Sequence, residues 1–524
     1  MKLTISKGLL LSLLASMAVQ AEPFIAQEII PVDADTALTV EWKQTLEQPL
    51  MDGSTNTTPK AVVKDGAGTL TVTEDLVLNN PLVVREGTLS VTGSTITSMI
   101  KNPLTSYVPY LSVGGNNATL ELKDSTISHT IKGTNNYSIA LTLGTADGAA
   151  TVNMDNSTLH TDHFIFAGYN GAGRDTQDYM KYTTDTAGNR YSNGDGSTLT
   201  VINLNNGSEL TAGTSLQFAN VEVNISDSRL ADHTREDNPA KSWTYLGVYD
   251  DSKTTINVTN GGSLDLQQYT LLAYGNNSET AITVSGKNEQ GERSTANISN
   301  TAYTDYYETG KTKFTLTVEE GAAANVDTLV LSNNATVSVD ESSELNVIDG
   351  AIDGVVYVEN GASVTNKGSI GAGISLEGGE LTAYNGSSLA EVNATAGTFN
   401  VLGDISMTGD LVLDGEAALI FGSTDYTIDL GENEFIYNGG SIAITLSDND
   451  ISNVVLFTSS AAGVDYSGLS VTLLDEDGNT TGTATLSYNE DGTVTLNAAA
   501  VPEPTTATLS LLALAALASR RRRK

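Results

Sequence analysis

Four histidines, His129, His160, His163 and His233, are the only side chains in this 524-residue chain whose unshifted ionisation falls near neutrality. His160 and His163, close to Asp155 and Asp162, are the one pair that could begin a metal site. Positions three apart on a strand point to opposite faces, so only a turn would bring the two together; ordinary exposed turn histidines are the alternative. There is no cysteine, which removes thiol nucleophiles, iron-sulfur clusters and thiolate zinc sites. Carboxylates abound, with 63 Asp and Glu against 26 Lys and Arg. Glycoside hydrolysis needs two of them at a fixed separation across a groove. Here they fall mostly in turns between strands, as solvating punctuation, and no locally distinctive catalytic set stands out. The scarcity of Lys and Arg also argues against an anionic sugar substrate. A Gly-Xaa-Ser-Xaa-Gly elbow, a phosphate loop and a helical zinc-protease motif are all missing. Asp475-Glu476-Asp477-Gly478-Asn479 has the flavour of a calcium loop but lacks the twelve-residue register, and a hairpin turn is expected there. The reading is therefore of a chain without catalytic, cofactor or metal residues, with a carbohydrate-active enzyme (polysaccharide lyase or glycoside hydrolase) as the alternative.

The elements that would position any such chemistry are short. From Ala61 to about Gly440 the chain repeats one phrase: an alternating run, a turn of Asp, Asn, Gly or Ser, then another alternating run, as in ATLELKDSTIS (118–128), VEVNISDSRLA (221–231) and ATVSVDESSELNV (335–347). Period-two apolar residues such as Val337 and Val339 predict half-buried strands, and Asn-Gly or Asp-Ser supplies the turns. Glu320-Gly321, Glu341-Ser342 and Asn360-Gly361 recur at close to 20 residues, and the Asp155-to-Asn206 interval fits one longer coil with a loop inserted. That period predicts a parallel β-helix, a β-solenoid in which each coil pairs with the next. Stacked immunoglobulin-like sandwiches are the alternative fold. Residues 22–60 are expected to cap the first coil and residues 441–500 to form a small antiparallel β cap at the other end. Three polar insertions interrupt the coils, Arg174 to Gly196, Asp232 to Gly247 and Lys287 to Lys311. They carry Tyr179, Tyr182, Tyr191, Trp243, Tyr245, Tyr303, Tyr306 and Tyr307, whose rings are candidates for stacking on sugar faces from projecting loops.

The formal net charge of −37 makes a nucleic-acid role improbable, because phosphate binding needs concentrated Lys and Arg. The two ends explain where such a chain works. Residues 1–21 place Lys2 and Lys7 before an apolar run and close on Val19-Gln20-Ala21, the pattern a signal peptidase reads. Without disulfides, an exported chain must draw its stability from burial and backbone pairing. At the other end, residues 501–524 join Pro502-Glu503-Pro504, an apolar stretch and Arg520, Arg521, Arg522, Arg523 and Lys524. The stretch from Thr505 to Ser519 spans about 22 Å as helix against a bilayer core of about 30 Å, which suits a temporary anchor with its arginines inside.

This tripartite ending resembles the PEP-CTERM sorting signal of exopolysaccharide-producing bacteria. The resemblance implies a membrane sorting enzyme, exosortase, as a partner that reads Pro-Glu-Pro and processes the tail. A second stretch, Asp65 to Gly93, resembles the autotransporter-associated β-strand repeat through Gly66-Ala67-Gly68-Thr69-Leu70 and Glu86-Gly87-Thr88-Leu89. That resemblance implies right-handed β-helix coils, with Gly66 and Gly68 at tight corners and Leu70, Val72, Leu89 and Val91 pointing inward. The family's translocating β-barrel is missing, so self-export does not carry over. Together these readings predict a monomeric, right-handed parallel β-helix, exported and sorted to the outer surface or extracellular matrix of a Gram-negative-type bacterium. Its role would be structural or adhesin-like, with an exopolysaccharide or host glycan as its partner and contact with the membrane only through the unprocessed tail.

Overall fold

Apolar residues alternate with polar ones along most of the described strands, as in Val221–Ser226 and Lys313–Glu319, and the many β-branched side chains among them favour extended backbone with successive residues on opposite faces. In the computed structural model the strands that result pair in parallel with the strand one coil later. The structure describes residues 28–48, 61–100, 108–129, 139–144, 148–168, 199–233, 243–248, 251–275, 277–304, 311–332, 334–347, 355–446, 451, 454–460, 469–489 and 491–498. They belong to two compact units, Met1–Ala362 and Ser363–Lys524.

In the first unit each coil contributes one strand to each of three faces. Tyr269–Leu272 lies on face A between Trp243–Leu246 and the second half of Thr295–Thr304. Lys253–Thr259 lies on face B between Val221–Ser226 and Glu279–Ser285. Ser263–Leu266 lies on face C between Arg229–Asp232 and the first half of Thr295–Thr304. This is the β-solenoid that the sequence period predicts. Parallel ladders between successive coils exclude stacked sandwiches, whose strands pair antiparallel.

The corner between faces B and C carries the turn chemistry. Asp124, Asn156, Asn206, Asp227 and Asn260 all adopt the left-handed backbone, with φ between 45° and 56°. Asn and Asp tolerate that region because their short side chains hydrogen-bond locally. Serine hydroxyls then run from coil to coil: the N–H groups of Ser94, Ser125, Ser157 and Ser208 donate to Oγ of Ser125, Ser157, Ser208 and Ser228 at 3.1–3.3 Å. The partners stand 31, 32, 51 and 20 residues apart in sequence. The corner is thus constant while coil length varies. The longest interval is the expected extended coil, in which Asp155 pairs with Asn205.

Leu70, Val72, Leu89 and Val91 point inward and are at most 1% exposed. Gly66 sits at φ +92°, where an added Cβ would lie 2.7 Å from the Val32 carbonyl oxygen. At Gly68 the same atom would lie 2.5 Å from the Ala34 carbonyl carbon, so both corners require glycine. The N-terminal segment starts the stack: Glu28–Pro31 pairs with Val62–Asp65, and Thr36–Ala37 with Thr69–Val72. Helix α1, Val40–Glu47, follows, with Thr39 Oγ1 accepting from Trp42 N and Leu46 buried beside Leu76–Leu78.

The second unit has more even coils. Gly373–Tyr384 and Val392–Leu402 each turn a corner without interruption and pair along both halves. Asn400 Nδ2 reaches Glu380 Oε1 from 20 residues away, and Asp404 N reaches Asn385 Oδ1 from 19. Phe399, Phe421, Phe435 and Phe457 fill its interior. At its end the strand direction reverses. Thr480–Tyr488 runs antiparallel to both Ser470–Leu474 and Thr493–Ala498, and the latter closes on Val455–Thr458. Hairpins of this kind occupy strand edges that would otherwise stay open.

Candidate functional site

Outward positions on face B form polar columns, because Thr and Asn tolerate both strand backbone and water. Asn203 Nδ2 donates to Asn153 Oδ1, Asn224 to Asn203, and Asn257 to Asn224, at 2.8–3.0 Å. Face A follows a different rule. Its strand register runs Ile29, Val63, Val83, Ser112, Thr142, Phe166, Gln217, Tyr245, Leu271, Tyr303, Val330 and Tyr357 down one outward column. No Asp, Glu, Lys or Arg interrupts it. From Val63 to Phe166 the column is buried, and Leu271 is fully buried as well, whereas Gln217, Tyr245, Tyr303, Val330 and Tyr357 are half-buried. Beside it Trp243 stacks on Tyr269 with ring centroids 5.1 Å apart, and Tyr245 meets Tyr274 edge-on at 5.1 Å. Tyr269 keeps 37% of its surface exposed.

This column corrects the expectation of projecting loop aromatics. Trp243 and Tyr245 lie on the strand Trp243–Leu246, and Tyr303 on Thr295–Thr304. The sequence around them is polar and rich in turn formers, which hides a four-residue strand, and only the pairing with Tyr269–Leu272 reveals it. Tyr179, Tyr182, Tyr191, Tyr306 and Tyr307 lie outside the described residues. Tyr269 and Tyr357 belong to the same face, and the alternation around each was the signal that could have found them.

The histidines depart from the picture of exposed turns. His129 is fully buried, because it occupies an inward position of Thr126–His129, in register with Ser98 and Thr161. Its ring stacks on buried Tyr110 at 5.4 Å and lies 6.5 Å from the ring of His163, which is 2% exposed. His129 Nδ1 pairs with Ser98 Oγ at 3.0 Å. Burial, reinforced by His163, depresses the His129 pKa to about 4. Tyr110 is the extra residue where the pairing register slips; its hydroxyl donates to the His160 carbonyl at 3.0 Å, and burial raises its pKa. His160 faces outward, where Nδ1 meets Thr211 Oγ1 at 2.6 Å and Nε2 meets Asp162 Oδ1 at 3.0 Å. His160 and His163 therefore do not share a face. Among the described residues no group of three or more His, Asp or Glu side chains is placed to hold a metal ion.

Two further ionisable groups lie inside the coil, where alternation would place apolar residues. Asp232 closes the strand Arg229–Asp232 fully buried, accepting from the Thr244 hydroxyl and from the N–H groups of Gln267 and Gln268. Burial pushes its pKa up to about 6 in spite of those donors. Lys64 is also inward and buried, with Nζ donating to the carbonyls of Gly66 and Glu86 at 2.5 Å. Burial lowers its pKa, opposed by Glu86, Asp65 and Asp35. Gly87 is required next to it, since a Cβ there would lie 2.5 Å from Nζ. On the outside of face C, Arg229 joins Glu209 at 2.9 Å and Asp265 at 2.5 Å on the coils before and after its own. That pairing commits the guanidinium beside a shallow recess lined by Ser208, Glu209, Asp227 and Ser228. The Asp475 carboxylate is likewise occupied: it accepts from the N–H groups of Asp477 and Asn479, and these donors hold its pKa below the usual value in the expected hairpin turn.

Pro502, Glu503, Pro504 and Arg520 to Arg523 lie outside the described residues. No curated protein matches the chain. Residues 500–524 match the PEP-CTERM protein-sorting motif, which marks the chain as exported, recognised by exosortase and sorted to the cell surface.

Proposed function

We propose that the mature chain is a non-enzymatic structural or adhesive protein, displayed on the outer surface or in the extracellular matrix of a Gram-negative-type bacterium. The observation that carries this reading is the PEP-CTERM motif at the end of a β-solenoid body. A solenoid gains length by adding coils, each sealing the backbone edge of its neighbour, so it presents a long surface without disulfides. The Gly66-Ala67-Gly68 corner supports a kinship with autotransporter-associated repeats. Signal peptidase removes residues 1–21, and an exosortase-type enzyme processes the tail, whose apolar segment holds the membrane until then. The partner is an exopolysaccharide or a host glycan.

Mass spectrometry of the C terminus on chain recovered from the cell surface is expected to find residues 505–524 removed. Recovery of an intact Arg520–Arg523 cluster on the surface would overturn the sorting step. The purified chain, offered a panel of polysaccharides, is expected to retain some of them without cutting them. Bond cleavage would instead establish a β-helix enzyme.

A further inference from the structure

We propose that Asn360 and Asn438 are modification sites, at which the asparagine closes onto the following glycine and becomes aspartate or isoaspartate in the folded protein. Five Asn-Gly pairs lie among the described residues, beginning at Asn206, Asn260, Asn360, Asn385 and Asn438. Glycine after asparagine favours the closure, because a residue without Cβ hinders its own nitrogen least and leaves the backbone most free to turn. All five asparagines are exposed, so access to water does not separate them.

Hydrogen bonding does. At the first pair, Gly207 N–H donates to the Asp227 carbonyl at 2.6 Å and Asn206 Nδ2 donates to Asp155 Oδ1 at 2.6 Å. Gly261 N–H donates to Ser294 Oγ at 3.1 Å, and Asn260 Nδ2 reaches Ser226 Oγ at 3.4 Å. Gly386 N–H donates to the Asp404 carbonyl at 2.7 Å, while Asn385 Oδ1 accepts from Asp404 N at 3.1 Å. In these three pairs the nitrogen that would attack and the amide that would be attacked are both tied to a neighbouring coil. At Asn360 and Asn438 neither is: among the described residues no hydrogen bond holds the Gly361 or Gly439 N–H or either side-chain amide. The surrounding backbone is nonetheless fixed. Ala362 N donates to the Glu359 carbonyl at 3.0 Å across the first of these turns, and Asn438 N donates to the Leu413 carbonyl at 2.9 Å.

The chemistry needs only water. The glycine nitrogen attacks the asparagine Cγ; a C–N bond forms, the bond from Cγ to Nδ2 breaks, and ammonia leaves with the proton of the backbone amide. Water then opens the five-membered imide at one of its two carbonyls. One opening gives aspartate, and the other gives isoaspartate, whose backbone runs through Cβ. Either product adds a carboxylate to a chain already at net charge −37, and isoaspartate also lengthens the turn by one carbon.

The intact purified chain, held at mildly alkaline pH and sampled over weeks, tests the proposal by peptide mass spectrometry, with enzymatic methylation of isoaspartate as the second readout. Conversion at Asn360 and Asn438 is expected to run about tenfold faster than at Asn206, Asn260 and Asn385, where hydrogen bonds must open first. In the urea-unfolded chain all five should convert at similar rates. Ser294→Ala removes the acceptor of Gly261 N–H and should bring Asn260 close to the rate of Asn360, with thermal unfolding of the variant keeping local release apart from general loosening. Amides that persist at either Asn360 or Asn438, or equal rates at all five sites in the folded chain, overturn the proposal. A difference that survives in urea does the same, because sequence and not the fold would then set the rates. So does a fully folded Ser294→Ala variant in which Asn260 reacts no faster; where that variant does not fold, the comparison of the folded and urea-unfolded chain decides.

Discussion

The unit Met1–Ala362 and the unit Ser363–Lys524 use one coil design for different ends. The first tolerates steps of 20 to 51 residues between equivalent serines, holds all four histidines, and buries Lys64, His129 and Asp232 inside the coil. The second varies less, with paired strand positions 17 to 29 residues apart, as from Ser363 to Glu380 and from Ile442 to Val471, and its interior is aliphatic and phenylalanine. Its described polar residues at interior exposure are few, Asn366, Ser387 and Ser459 among them. The difference teaches that a solenoid separates two requirements. Backbone pairing and the constant corner hold the coils, so a unit that has them can vary its loops, its outward faces and even some inward side chains.

The comparison can be broken most forcefully in the second unit. Phe457 is fully buried, stacked on Phe435 at 4.7 Å and edge-on to Phe421 at 5.6 Å. Phe457→Ala is expected to destabilise that unit by about 3–5 kcal/mol, measured by chemical denaturation. A loss below 1 kcal/mol would mean that the ring cluster is not its core.

Among the described residues, acidity should reach fully buried ionisable groups in the first unit, and there in two opposite ways. Asp232 has a folded-state pKa of about 6, above its ordinary 3.8, so the folded state holds the proton more tightly. Its contribution is fully present below about pH 4 and is lost as pH rises through 6, a change of about 3 kcal/mol. Asp232→Asn should remove that slope. His129 has a folded-state pKa of about 4, below its ordinary 6.5. Its contribution is present above about pH 6.5 and disappears as pH falls through 4, again by about 3 kcal/mol. His129→Gln should flatten that limb. Hydrogen exchange between pH 4 and 7 should report both changes in strands near residues 95–129 and 229–272, with residues 373–445 unaffected. A slope of equal size in the second unit would erase the distinction drawn here.

The smallest effect concerns the shared corner. Ser157 Oγ accepts from Ser125 N and donates to the Asp155 carbonyl. Ser157→Ala should cost about 1–2 kcal/mol in equilibrium unfolding, because it leaves a buried N–H without its acceptor. A neutral result would show that the corner is held by backbone pairing alone.

Much of this was legible in residue order. Alternation marked the strands, Asp-Ser and Asn-Gly marked the left-handed corners at Asp124, Asn156, Asn206 and Asp227, and Gly66 and Gly68 marked the tight turns. Each of these signals is local: it depends on which φ values a residue tolerates and on which of two faces its neighbour occupies. The candidate site was less legible. Tyr245, Leu271, Tyr303, Val330 and Tyr357 are scattered over more than a hundred residues and become one column only through register. The inward placement of His129, Lys64 and Asp232 was not legible for a related reason. A polar residue suggests an outward position, yet each shares its strand's inward parity and finds partners contributed by a neighbouring coil or by the facing strands.

By itself, then, the sequence determined the kind of coil, the chemistry of its corners and the tail that directs the chain outward, because these depend on short stretches of residues acting through backbone geometry or read as linear motifs. Only the tertiary structure decided which ionisable groups lie inside and which aromatic rings line up. Those outcomes are set by the pairing of strands up to 51 residues apart, a distance across which no local pattern fixes register.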